Sequence, residues 1–248
     1  MRQLSNLAFS FHVDGVIWKT SLDKQSGQLA LEIRDQEQLH ISYRILDIAQ
    51  NTLRGPIAVD GADWWSTLQL LQSGYLFLEK YQDPQNPLDK SLIVAKSDTG
   101  EVFSHFSGHQ LVDIREDSII YQKIEDPSSV LQKPLPDIPQ KKEQYMFMEP
   151  VVYWEGSDNF EVVKAFLSGE NIISLVDYME TGDYIIISYS IPDGKDFIRK
   201  MVVIREEEEI YRTILDQKME GIAPGSFFVF NNYLIFIVEK KQINAIEL

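Results

Sequence analysis

The sequence predicts an all-β chain, a five-bladed β-propeller, on three observations. Five apolar runs enter a tight turn and leave it as another apolar run, at Ser26-Gly27, Ser73-Gly74, Glu116-Asp117, Thr181-Gly182 and Asn231-Asn232. The second turn residue is always Gly, Asp or Asn, the types that reach positive φ most cheaply, as hairpin turns matched to strand twist require. These turns recur at intervals of 43 to 65 residues, which is the period of four-stranded blades. Outgoing strands such as Tyr75-Leu76-Phe77-Leu78 and Tyr184-Ile185-Ile186-Ile187 are apolar on both faces. In an antiparallel protein that pattern means a sheet covered on both sides.

The elements follow in order. The first unit reads as strands Val16 to Leu22, Gln28 to Asp35 and Leu39 to Asp47, with a fourth between Thr52 and Val59. The second repeats this as Trp65 to Leu71, Tyr75 to Tyr81, Ser91 to Lys96 and Glu101 to Phe106. The third begins with Gln110 to Ile114 and Ser118 to Ile124 and takes Tyr145 to Trp154 as its third strand. Between them lies Asp126 to Gln144, whose Pro127, Pro134, Pro136 and Pro139 predict a long exposed loop, since proline supplies no ladder donor. The fourth unit is Asn171 to Met179, Asp183 to Ile191, Phe197 to Arg205 and Ile210 to Leu215. Before it, Asn159 to Gly169 fits either a short capped helix or the missing fourth strand. The fifth unit, Ser226 to Phe230, Tyr233 to Glu239 and Gln242 to Leu248, is one strand short. Leu7 to His12 is a surplus strand at the other end, so the N-terminal strand is expected to complete the last blade and remove two open edges. Residues 1–248 are thus expected to form a single domain with a proline-rich loop over 126–144.

Composition bounds the function. The chain has 248 residues, 44% of them apolar and 11% aromatic, enough for a sizeable core. A formal charge of −15 opposes phosphate binding and argues against nucleic acid. With no cysteine there is no disulfide, thiolate metal site or cysteine nucleophile. No run approaches the ~18 apolar residues of a membrane helix, and residues 1–10 lack the apolar core of a signal peptide. Given Met1 as the native start, the expectation is a cytoplasmic monomer away from the membrane.

The stretch Ile93-Val94-Ala95-Lys96-Ser97-Asp98-Thr99-Gly100-Glu101-Val102-Phe103 resembles the third-strand, turn and fourth-strand signature of quinoprotein-type propeller repeats. A weaker echo runs from Ile45 to Leu53, and Phe103 stands where that family places Trp. With Val16-Ile17-Trp18 and Trp64-Trp65, the whole chain also resembles a family of uncharacterised bacterial β-propeller-like proteins of unknown function. The first resemblance implies a propeller, and neither implies a site. The ligands of a quinone cofactor are absent, and no cofactor is expected.

Chemistry-bearing residues are few. Of the four histidines only His105-x3-His109 has ligand-like spacing, and a turn between the two would part them, so no metal site is expected. Asp113 and Asp177 sit inside apolar first strands, where a propeller hydrolase acting on carbohydrate would place paired acids. Counted from their turns, however, the two have opposite parity. The run Glu206 to Glu209 reads as a solvated turn. No nucleophile elbow or phosphate loop is present. The adjacent Trp64 and Trp65 point to opposite sides if they lie in a strand, so that one packs and the other can bind. The expected function is therefore a non-enzymatic scaffold binding a protein or small ligand through Trp64 or Trp65. The alternative is a carbohydrate-acting hydrolase using Asp113 and Asp177.

Overall fold

The computed structural model describes residues 7–83, 85–115, 118–136, 145–167 and 169–248. The turn Glu116-Asp117 and the 137–144 part of the expected loop lie outside the described residues. Those described form five antiparallel sheets and one helix. Strand β1 (Phe9–His12) belongs to the last sheet. The strands β2 (Val16–Asp23), β3 (Gln28–Asp35), β4 (His40–Asp47) and β5 (Thr52–Ile57) make the first sheet in chain order. The second is β6 (Ser66–Gln72), β7 (Tyr75–Tyr81), β8 (Lys90–Lys96) and β9 (Val102–Ser107), and the third is β10 (His109–Arg115), β11 (Ser118–Lys123) and β12 (Val130–Pro134). Next come β13 (Phe147–Met148), β14 (Val151–Trp154) and helix α1 (Asp158–Phe166). The fourth sheet runs from β14 through β15 (Ile173–Thr181), β16 (Tyr184–Asp193) and β17 (Asp196–Arg205) to β18 (Glu208–Met219). The last holds β19 (Phe227–Phe230), β20 (Tyr233–Val238) and β21 (Gln242–Glu247), with β1 on one edge and β13 on the other. The chain divides into two compact units, one of Val13–Tyr145 and the other of Met146–Leu248 with the N-terminal strand.

In the unit of the first three sheets, period-two alternation sends the side chains of β7 and β8 to two different cores. From β7, Leu76 and Leu78 join Tyr43, Ile45 and Ile93 between the first and second sheets. Their neighbours Tyr75 and Phe77 pack with Leu92, Val94 and Ile119 toward the third sheet. The doubly apolar run read from the sequence is thus a strand buried on both faces. Each such side chain contributes about 1.5–3 kcal/mol, so a one-residue slip of β7 would exchange two complete cores. The Asp98-Thr99-Gly100 turn fits against the first sheet's exit. A Cβ on Gly100, at φ +78°, would lie 2.0 Å from the Ala58 carbonyl oxygen. Glycine in that Thr-Gly pair therefore answers to a close backbone approach.

The other unit repeats the scheme with one substitution. Ile186, Met201 and Val203 face Val229, Leu234 and Phe236 of the last sheet. The opposite row, Ile187, Tyr189 and Val202, is covered by Phe160 and Val163 of α1. The helix starts at Ser157, whose Oγ accepts from the Phe160 N–H at 3.2 Å, with Asp158 and Glu161 in its first turn. Of the two readings of Asn159 to Gly169, the helix is the one observed. β1 pairs antiparallel with β21, Phe9 opposite Ala245 and His12 opposite Gln242, as the surplus and deficit of strands predicted.

The third unit is where the sequence reading needs correcting. Val130–Pro134, inside the expected loop of 126–144, is the third strand of the third sheet, and Gln132 sits opposite Ile120. The prolines flank this strand rather than interrupt it. Pro134 is its last residue, and β12 is an edge strand, where a missing N–H costs no ladder bond. Tyr145 to Trp154, the expected third strand, is cut by Pro150. Phe147–Met148 pairs with β19, and Val151–Trp154 pairs with β15.

Candidate functional site

Neither sequence-predicted acid is a free carboxylate. Asp113 lies beside a bulge in β10 between Leu111 and Asp113, and is exposed rather than set in an apolar interior. It accepts from Arg115 Nε and the Ile114 N–H, both at 2.8 Å. The Arg115 hydrogen bond and then the Ile114 N–H hold its carboxyl below the usual carboxylate range. Asp177 is completely buried, on the second strand of its sheet because β14 precedes it. Its Oδ2 accepts from Arg199 Nη2 at 2.6 Å, Ser226 Oγ at 2.7 Å and the Ser226 N–H at 2.9 Å. Its Oδ1 accepts from the Gly225 N–H at 3.2 Å. Arg199 in turn donates to Ser188 Oγ at 2.9 Å and to the Ala223 carbonyl. Asp177 thus fastens the segment leading into β19, and its acceptor capacity is spent there.

The tryptophans stand in a different setting. Trp64 and Trp65 lie in the turn before β6 rather than in a strand, held by the Asp63 carboxylate, which accepts from the Trp65 N–H at 3.0 Å. Trp65 is half exposed. Trp64 covers the Arg34 guanidinium, whose central carbon is 5.1 Å from its ring centre and 4.7 Å from that of Trp18. A second buried carboxylate fixes this arginine. Glu32 accepts from Arg34 Nε at 2.7 Å through Oε1, and from the Leu68 N–H at 2.6 Å through Oε2. Arg34 also donates to the Trp64 and Ser66 carbonyls. The result is an aromatic–cation stack of Trp18, Arg34 and Trp64, with Trp18 and the neighbouring Trp65 each at least half open to solvent.

A pocket of about 220 Å³ lies between β6, β7 and β8 on one side and β10 on the other. Its polar wall holds Gln69, Glu79, Ser91, His109 and Gln110. Glu79 is ion-paired with Lys90 at 3.1 Å. His109 Nδ1 lies 2.7 Å from the Ser107 carbonyl oxygen, which can only accept, so Nδ1 carries a hydrogen. His109 Nε2 is shut off from solvent and has no hydrogen-bond partner among the described residues. His105 is exposed on β9, and among the described residues no cluster of three metal-ligating side chains occurs. The sequence singled out His109 for its spacing from His105; its bond to Ser107 could not be read there. Gln69 and Gln110 carry no motif that would have drawn attention.

Residues 22–103 match the family described as a domain of unknown function (DUF4905). That span includes Glu32, Arg34, Trp64 and Trp65, and its description names no quinoprotein-type repeat. No curated protein matches the chain. Among solved structures, the bifunctional GH43-CE protein of Bacteroides eggerthii is 12% identical over 91% of this chain and 31% of that one, with a TM-score of 0.25. Raptor of Chaetomium thermophilum is 9% identical over 98% of this chain and 28% of that one, at a TM-score of 0.30. The chain spans less than a third of the length of either. Its functional reading therefore rests on its own residues.

Proposed function

We propose that the chain is a non-enzymatic binding module, its five sheets the blades of a β-propeller and β1 completing the last of them. The observation that carries the functional half is the environment of the acids. Asp177 is buried and spent on four donors, while Asp113 is paired with Arg115 at the surface. A glycosidase needs one carboxyl free to protonate a leaving group and a second free to attack or activate water, and neither residue is available for either task. The binding half is supported by Trp65, an indole held in a fixed turn with half its surface open. Large, rigid aromatic surface of this kind anchors interfaces.

Two measurements test the reading. A panel of aryl glycosides should show no turnover by the protein, and Asp177→Asn should change nothing except stability. Turnover abolished by Asp113→Asn or Asp177→Asn would restore the hydrolase. Trp64→Ala should lower the melting temperature because it uncovers Arg34, whereas Trp65→Ala should leave melting nearly unchanged. Equal destabilisation by both would place Trp65 in the core and remove the proposed anchor.

A further inference from the structure

The first sheet already shows what an indole of this chain holds. The Arg34 guanidinium is bonded to the Glu32 carboxylate and lies against the rings of Trp18 and Trp64. Trp65, the next residue, is half exposed, and among the described residues no cation lies over its ring. Trp18 is exposed too, as the extra residue of a bulge in β2 between Ile17 and Lys19. Pairing gathers these rings at one end of the first two sheets. Val16 lies opposite Arg34, Arg34 donates to the Trp64 and Ser66 carbonyls, and the Trp65 carbonyl accepts from the Tyr81 N–H.

Charge selects the partner. The charged residues of segments 13–19, 32–39, 58–66 and 80–81 make up this end. Within them Glu32 is paired with Arg34, and Asp63 with Lys80. Asp14, Asp35, Glu37 and Asp60 remain, against Lys19, and none of these has an ion pair among the described residues. The surplus carries the same sign as the whole chain, whose formal charge is −15. A phosphate-bearing or acidic partner would be repelled here, and a neutral saccharide would gain nothing from the acids. A guanidinium gains from both, because it is planar, stacks on indole and keeps its charge. We infer that this end docks an arginine-bearing segment of a basic partner, with one guanidinium on the Trp65 ring and the segment's charge drawn by the four acids. The inference rests on the reading of Trp65 as a binding anchor and adds the chemistry of what it anchors.

The test follows the indole N–H resonances by NMR, with acetyl-Gly-Arg-Gly-Arg-Gly-amide as the probe beside its lysine and glutamate counterparts and maltotriose. At millimolar concentration the arginine peptide should shift the Trp65 resonance saturably and bind more tightly than the lysine peptide. Trp154, a similarly exposed indole on β14, should stay unmoved. Measured on the peptide's own resonances, Trp65→Ala should weaken binding about three- to tenfold. Asp14→Asn combined with Asp60→Asn should weaken it about two- to fivefold and flatten its salt dependence, at unchanged melting temperature. The inference is overturned if the arginine peptide leaves Trp65 unmoved, if maltotriose or the glutamate peptide binds there more tightly, or if the acid-depleted variant binds as well as the parent. The Trp65 anchor survives each of those results. If Trp65→Ala binds the arginine peptide undiminished, the anchor falls as well. Should Trp65→Ala fail to fold, the parent's Trp65 resonance and the acid-depleted variant decide.

Discussion

Two buried carboxylates, one in each compact unit, do the same structural task by different routes. Glu32 and Arg34 are two apart on β3, so period-two geometry puts both on one face. Asp177 and Arg199 are on β15 and β17, and Ser188 of the strand between them bonds the arginine. In each case the acid accepts backbone N–H groups at the start of the following sheet, Leu68 in one and Gly225 with Ser226 in the other. In each the arginine donates to carbonyls of the same segment, Trp64 and Ser66 or Ala223. A segment without strand partners for these groups would leave them orphaned, and a side-chain ion pair replaces the missing ladder. The difference lies at the outer end. Arg34 meets two indole rings that reach solvent, whereas Arg199 is 4% exposed and its guanidinium lies over no aromatic ring among the described residues. The same device therefore becomes a surface feature in one unit and stays internal in the other.

The largest expected effect breaks the internal clasp. Asp177→Ala removes the acceptor from two N–H groups and one hydroxyl and strands a buried guanidinium, at a cost of about 3–5 kcal/mol. Burial already pulls the Arg199 guanidinium down from its ordinary value, against the opposing pull of Asp177. Glu32→Ala should cost less, about 2–3 kcal/mol, because Arg34 keeps two carbonyls and two aromatic faces. Urea unfolding of the two variants measures the difference. An equal or larger loss for Glu32→Ala would show that the aromatic end gives Arg34 no alternative shelter.

The comparison also shows what the sequence could and could not disclose. The hairpins were legible because Gly27, Gly74 and Gly182 do adopt positive φ, at +70°, +80° and +56°. The closing strand was legible because a surplus strand precedes the first unit and the last unit reads as one strand short, although β13 also joins that sheet. Asp177 stood out in the sequence as an acid in an apolar strand, but Arg199 is 22 residues further on and its backbone donors, Gly225 and Ser226, are 48 and 49 residues on, where the fifth unit only begins. Glu32 drew no notice at all, since in Leu29-Ala30-Leu31-Glu32-Ile33 it resembles an ordinary solvent-facing position. What a buried acid bonds depends on which distant backbone lacks a partner, and no local pattern records that. The third sheet was misread for a local reason: prolines mark breaks, but only their exact positions separate a strand's end from a loop.

A smaller effect sharpens the outer end of the Glu32 clasp. Trp18→Ala removes one of the two rings over Arg34 and should cost about 0.5–1 kcal/mol, the range of an exposed cation–π contact. Trp154, equally exposed but with no cation over its ring among the described residues, is the control, and its alanine variant should be close to neutral. Chemical denaturation of both variants checks the pair. Equal losses would mean that Trp18 contributes area alone and that the stack on Arg34 adds nothing.

The smallest effect concerns an ion network in the compact unit of Met146–Leu248. Glu170, beyond the end of α1, binds Lys200 Nζ at 3.0 Å and Arg212 Nη1 at 3.0 Å and accepts from Tyr189 at 3.1 Å. Burial would raise its carboxyl, but the Lys200 bond and charge, the Tyr189 hydroxyl and Arg212 together outweigh this and hold it below its ordinary value. Burial pushes the Tyr189 hydroxyl up to about 12, so in acid the carboxylate is the partner that titrates. Glu209, on the same arginine, is also lowered, first by its hydrogen bond from Arg212. A carboxyl with a depressed folded value stabilises the native state above its unfolded value, about 4.3, and that contribution is lost as pH falls through the folded value. Glu170→Gln should therefore be less stable than the parent at neutral pH, by no more than about 1 kcal/mol for a pair this open to water. The gap should close below about pH 4, while Glu209 still gives the variant some acid sensitivity. Melting curves of both proteins across the acid range decide it. A gap that stays constant down to pH 3 would assign the loss to packing at the end of α1, and the charge of Glu170 would then have no measurable part in holding β17 and β18.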